Sequence, residues 1–124
     1  MGEKNIQLKK GVIEILILKL LSREKMYGYQ LLQELDSKSN GVFKMKEGTL
    51  YPVLYRLEDG GLISSLWEDP DGSWAGARSE KRPVPRKYYQ ITAAGVAELD
   101  RRISDFHNLV QGIYLILEEE PRNV

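Results

Sequence analysis

Cysteine is absent from this 124-residue chain. That removes disulfide staples, thiolate metal sites and cysteine nucleophiles together, and it agrees with a reducing compartment. A single histidine, His107, leaves no second imidazole for a zinc site, and no serine–histidine–aspartate arrangement can be assembled around it. There is no glycine-rich phosphate loop, since Gly60-Gly61 is an isolated turn. With no nucleophile–base pair and no metal spacing either, the sequence does not read as an enzyme, and it calls for no cofactor. No run is long enough to span a membrane. The longest, Val12 to Leu21, is broken by Glu14 and Lys19 and falls short of the ~20 residues required. Lys9 and Lys10 precede it, as in a signal peptide, but Ser22-Arg23-Glu24-Lys25 stands where a small-residue cleavage site would follow. The run reads as a buried helix of a cytoplasmic protein.

Net charge is missing too, with 18 Lys and Arg against 18 Asp and Glu. The balance conceals a local separation. Arg78, Lys81, Arg82, Arg86 and Lys87 stand against Glu80 alone, whereas from Ala93 to Glu120 six carboxylates face only Arg101 and Arg102. Such a chain can meet a polyanion with one part only. The alternative is that both are merely solvated faces. With 42% hydrophobic residues, the chain can build the core of one domain.

Apolar periodicity divides the chain into five pieces. Gly11 to Arg23 is apolar almost all round and predicts a helix covered on more than one side. Met26 to Leu35 predicts a short second helix, with Gly28 marking a close contact. Ser37 to Val42 is a loop. Glu47 to Asp59 predicts a third helix with Leu50, Val53, Leu54 and Leu57 on one stripe, starting either at Glu47 or near Thr49 because Pro52 suits a first turn. Leu62 to Glu68 and Arg86 to Thr92 predict two strands, and the Pro- and Gly-rich segment between them a long hairpin tip. Thr92 caps a last helix from Ala93 to about Glu119. Its stripe, Val96, Leu99, Ile103, Phe106, Val110, Ile113 and Leu117, steps alternately by three and four. A helix of ~37 Å cannot bury that stripe on one small domain, so burial against a second copy is favoured over packing on its own domain.

This order is that of a winged helix-turn-helix: mainly α with a small β-hairpin, residues 1–92 as a DNA-binding unit and 93–124 as a dimerisation helix of the same compact body. The third helix would enter the major groove of double-stranded DNA, with Lys46, Gly48, Thr49, Tyr51, Pro52, Tyr55 and Arg56 on its outer face. Tyr51 and Tyr55 have packing as an alternative use. Arg78, Lys81, Arg82, Arg86 and Lys87 would bring the wing to the backbone. The seam Leu99, Ile103, Phe106, Val110, Ile113 and Leu117, helped by Val12 and Leu16, would hold two copies together. A two-fold dimer calls for a near-palindromic operator with half-sites about 34 Å apart. A winged-helix protein–protein adaptor without DNA binding is the competing class.

Three motifs then converge. They are Tyr27-Gly28-Tyr29-Gln30, the stretch from Gly48-Thr49-Leu50-Tyr51-Pro52 through Arg56-Leu57-Glu58 to Gly60-Gly61-Leu62-Ile63, and Arg86-Lys87-Tyr88-Tyr89-Gln90-Ile91-Thr92-Ala93-Ala94-Gly95. With them, in this order, the chain resembles the PadR family of bacterial transcriptional regulators, and the middle motif is highly specific. The resemblance implies a homodimeric repressor of the short-tailed subtype, dimerising through its last helix. It also accounts for Pro52, which the family tolerates. Asp71 to Pro85 makes a longer wing than the family's usual one. Other members respond to small, often aromatic, hydrophobic compounds, some of them bound between the long helices. The resemblance therefore marks Phe106, with Leu99, Ile103 and Val110 beside it, as the place for such an effector, a packed seam without a cavity being the alternative.

Overall fold

The structure, a computed structural model, describes residues 2–68 and 86–120. Among them run α1 (Gly2–Arg23), β1 (Met26–Tyr27), α2 (Gly28–Lys38), α3 (Glu47–Asp59), β2 (Ile63–Glu68), β3 (Arg86–Ile91) and α4 (Ala93–Leu117). The strands form one antiparallel sheet in the order β1-β3-β2. Ile63 pairs with Ile91 and Glu68 with Arg86, so β2 and β3 make the wing expected from the sequence. Arg78, Lys81, Arg82 and Trp74 lie outside the described residues.

α1 is the centre of the molecule. Ile17 and Leu18 are fully buried, and the helix packs on α2, α3, α4 and β3, as its all-round apolar surface requires. Leu31, Leu35, Leu50, Val53, Leu54, Leu57, Ile63 and Tyr89 close the core around it, and no polar or charged side chain is buried among the described residues. α1 starts nine residues earlier than the periodicity predicts. Gly2 to Lys10 carries no long apolar period, yet it holds no proline to stop a helix that the core already anchors.

Other boundaries differ as well: α2 runs on to Lys38, so Ser37 and Lys38 are helical where the sequence predicted loop. Met26 and Tyr27 are not helical but pair with Tyr89 and Tyr88 of β3. A two-residue strand has no period of its own, so only its partner reveals it. α2 then starts at Gly28, with the Gln30 side chain accepting the Tyr27 N–H at 2.8 Å. α3 takes the longer of its two expected forms, with Pro52 inside the helix. Proline cannot donate to the Gly48 carbonyl, but Gly48 is solvent-exposed, so water replaces the lost bond at little cost.

The end of α3 and the start of α4 are tied together. Thr92 Oγ1 donates to the Gly61 carbonyl at 2.7 Å and accepts the Gly95 N–H at 3.0 Å, capping α4 as predicted. Thr92 N–H donates to the Leu62 carbonyl at 3.1 Å. The turn after α3 and the start of α4 therefore move as one piece.

Candidate nucleic-acid interface

α3 buries Leu50, Val53, Leu54 and Leu57, and helical geometry then turns the residues between them outward. Lys46, Gly48, Thr49, Tyr51, Pro52 and Tyr55 are all exposed. Tyr55 is 70% exposed, which rules out a packing role for it. Tyr51 is 43% exposed and leans on Gly28, where an added Cβ would come within 2.5 Å of its hydroxyl. Ser65 donates a hydrogen bond to Glu58 Oε2 and so pins α3 to β2.

Beside Tyr51 opens a cleft of about 730 Å³ lined by Tyr27, Gly28, Tyr29, Gln30, Tyr51, Trp67, Arg86, Lys87 and Tyr89. Its cations are positioned by rings. Tyr27 and Tyr88 stack with centroids 3.9 Å apart. Arg86 lies 5.0 Å over Tyr27, and Lys87 lies between Trp67 at 5.9 Å and Tyr89 at 5.6 Å. Such contacts hold a cation without using up its donors. Lys25, over Tyr88, has its carboxylate in Glu68 at 3.5 Å, whereas no carboxylate pairs with Arg86 or Lys87 among the described residues. The hydrogen bond that the Tyr88 hydroxyl shares with Tyr27 as its donor, with lesser burial, holds the phenol above its ordinary range. Burial raises Tyr89.

Arg56 of α3 is exposed too, and its Nη2 lies 3.5 Å from Glu14 Oε2 of α1. The same carboxylate takes Arg102 Nη1 of α4 at 2.8 Å. Arg102 also reaches Glu98, which Arg101 grips through two bonds, and these two arginines hold the Glu98 carboxyl down at about 2.

α4 leaves its domain part-way along. Leu99 belongs to the domain core and Ile103 packs against it; Phe106 and Val110 are half-buried. Beyond them Leu109, Ile113, Tyr114, Leu115, Ile116 and Leu117 are exposed by 46% to 74%, as is Val96 near the start at 45%. Val12 and Leu16 on α1 are half-buried. Leu16 also lines an apolar cleft of about 270 Å³ with Leu20, Leu35 and Phe43, rimmed by Lys19, Arg23 and the ion-paired Lys38 and Glu34.

The model of the transcriptional regulator PadR-like family matches residues 17–101. The chain belongs to the PadR family. It is thus a transcriptional regulator and not an enzyme. A PadR-family transcriptional regulator from Eggerthella lenta shares its fold with a TM-score of 0.72 and 30% identity, over 96% of this chain and 93% of that one. A PadR-like regulator from Bacillus cereus gives 0.71 and 31%, over 92% and 99%. In sequence, the transcriptional regulator Rv3488 of Mycobacterium tuberculosis is 33% identical over 98 residues, 77% of this chain and 78% of that protein.

Within this PadR chain, the described residues that the sequence singled out are placed differently. Lys46, Gly48, Thr49, Tyr51, Pro52, Tyr55, Arg86 and Lys87 lie on exposed parts of α3 and β3 or line the cleft beside them. Arg56 is held to one side by Glu14, because α1 presents that carboxylate where α3 passes it. Leu99 is buried in the core of its own domain. Neither cleft described above is lined by Ile103, Phe106 or Val110. Sequence reasoning missed the ring of Tyr27, Tyr29 and Trp67. The PadR motif Tyr27-Gly28-Tyr29-Gln30 was the available signal, but only the β1–β3 pairing brings it to the wing.

Proposed function

We propose that this PadR-family regulator is a homodimeric, sequence-specific DNA-binding repressor that a small hydrophobic or aromatic compound releases from its operator. One observation carries the DNA reading: an exposed helix face with Tyr55 at its crest adjoins a cleft whose Arg86 and Lys87 lack carboxylate partners among the described residues. Cations kept free of internal salt bridges are available to phosphate, and aromatic walls tolerate the flat faces and sugars of nucleic acid. In this reading α3 enters the major groove and the wing strands follow the backbone. The adaptor alternative has no use for unpaired cations beside a helix crest.

Binding is tested by fluorescence anisotropy on duplex DNA across a salt series, with operator fragments recovered by selection from random duplexes. Affinity should fall steeply with salt. Replacing Arg86 and Lys87 together by Gln removes two phosphate contacts per head, four per dimer. The log–log salt slope should flatten by about 3 to 4, at ~0.9 per contact, with base preference unchanged. A change in base preference without a change in slope would reverse the roles assigned to helix and wing.

Support for the dimer comes from the apolar end of α4, whose six exposed large side chains no part of the described domain covers. The acidic run Glu118 to Glu120 follows it, and the cleft on α1 and α2 offers apolar walls, with Lys19 and Arg23 on its rim beside the Lys38–Glu34 ion pair. The effector part of the reading now rests on Ile103, Phe106 and Val110 without Leu99. A planar ligand entering between two long helices must bind the non-operator arrangement more tightly, or it shifts nothing. Phe106→Ala should weaken the release of DNA by a panel of aromatic compounds while leaving a dimer. Unchanged release by the variant would place the ligand elsewhere.

A further inference from the structure

Glu14 stands on the buried helix, only 18% exposed, and shares its two oxygens between two elements. Arg102 of α4 takes Oε1 at 2.8 Å, and Arg56 of α3 lies 3.5 Å from Oε2. Arg102 is itself fixed by Glu98 at 2.8 Å, so the carboxylate has a firm partner and stays where α3 passes it. Arg56 emerges one helical turn after Pro52 and next to Tyr55, within the stretch that faces outward, yet its guanidinium turns toward α1. A carboxylate largely screened from water attracts a nearby cation more strongly than a surface one does.

We propose that Glu14 withholds Arg56 from DNA, with Arg102 as the anchor that keeps the carboxylate in place. Glu14 is thus a positioning residue: it sets which cations of the third helix are available to phosphate and leaves the crest to Tyr55. This rests on the DNA-binding reading above and gives one of that reading's expected contacts a different role.

The test uses the full-length protein and a labelled 30-base-pair duplex of random sequence, with affinity measured across a salt series. Arg56→Gln alone should leave the salt slope of the wild-type protein unchanged. Glu14→Gln should free one arginine per head and steepen the slope by about 2 for a dimer, at ~0.9 per phosphate contact. The double variant should return to the wild-type slope. Mass and helix content are recorded in parallel; if Glu14→Gln does not fold, Glu14→Ala takes its place, with the same steepening expected. A flatter slope in Arg56→Gln, or an unchanged slope in a folded Glu14→Gln, overturns the proposal while DNA binding stands. Absence of salt-dependent binding by the wild-type protein overturns both. A merely structural ion pair would lower thermal stability in all three variants and leave every slope alike.

Discussion

A protein carrying Val110→Asp and Ile113→Asp is expected to sediment as a folded monomer and to lose DNA affinity by roughly 10²–10⁴-fold. In the single chain these positions are half-buried and exposed, beyond the point where α4 leaves the core at Ile103. Two carboxylates there cost little in a monomer. Across a two-fold seam the same substitutions put four charges into an apolar contact, and each unpaired buried charge costs several kcal/mol. Loss of the second head removes the intramolecular second binding event, which is where the affinity factor comes from. The seam is checked by sedimentation equilibrium beside circular dichroism. A native-like dimer with wild-type affinity would show that α4 pairs through another face. The choice of positions depends on the structure, because Leu99 and Ile103 would test the domain core instead.

Gly95→Ala should be the most destabilising glycine-to-alanine substitution among the described residues. Gly95 is buried in the first turn of α4, and an added Cβ would overlap the Leu62 carbonyl oxygen and come within 2.7 Å of Ile91 Cγ1. Neither neighbour can yield cheaply. The Leu62 carbonyl accepts the Thr92 N–H, and Ile91 is the paired end of β3. Relief requires moving the turn after α3 away from the start of α4, at a cost of about 2–4 kcal/mol. That corresponds to a fall in melting temperature on the order of 10 °C. Gly11→Ala is the control: it lies inside α1 with nothing within 4 Å, and should gain about 0.5–1 kcal/mol. If both substitutions melt at the wild-type temperature, the α3–α4 junction is looser than its hydrogen bonds imply.

Much of the architecture was legible because its residues carry local signals. The stripe Leu50, Val53, Leu54 and Leu57 has helical spacing that names its own buried face, and Gly60-Gly61 ends that helix by its own conformational freedom, Gly61 at φ 76°. Thr92 announces α4 by the cap it forms with Gly95, a contact three residues away. Gly28 was readable as a close contact, though not that Tyr51 would be the residue pressed on it.

By itself, then, the amino-acid sequence determined the order of the four helices and the two wing strands, the family and the outward face of α3, since each depends on periodicity, capping or a motif read within a few residues. Only the tertiary structure decided how far Tyr27 lies from Arg86, that β1 exists, that Leu99 serves its own domain, and that Glu14 draws Arg56 aside. Those are contacts between residues up to 88 positions apart, as for Glu14 and Arg102. No local pattern encodes them: a guanidinium on an exposed helix turn looks the same in sequence whether a phosphate or a carboxylate stands opposite, and packing alone places the carboxylate there.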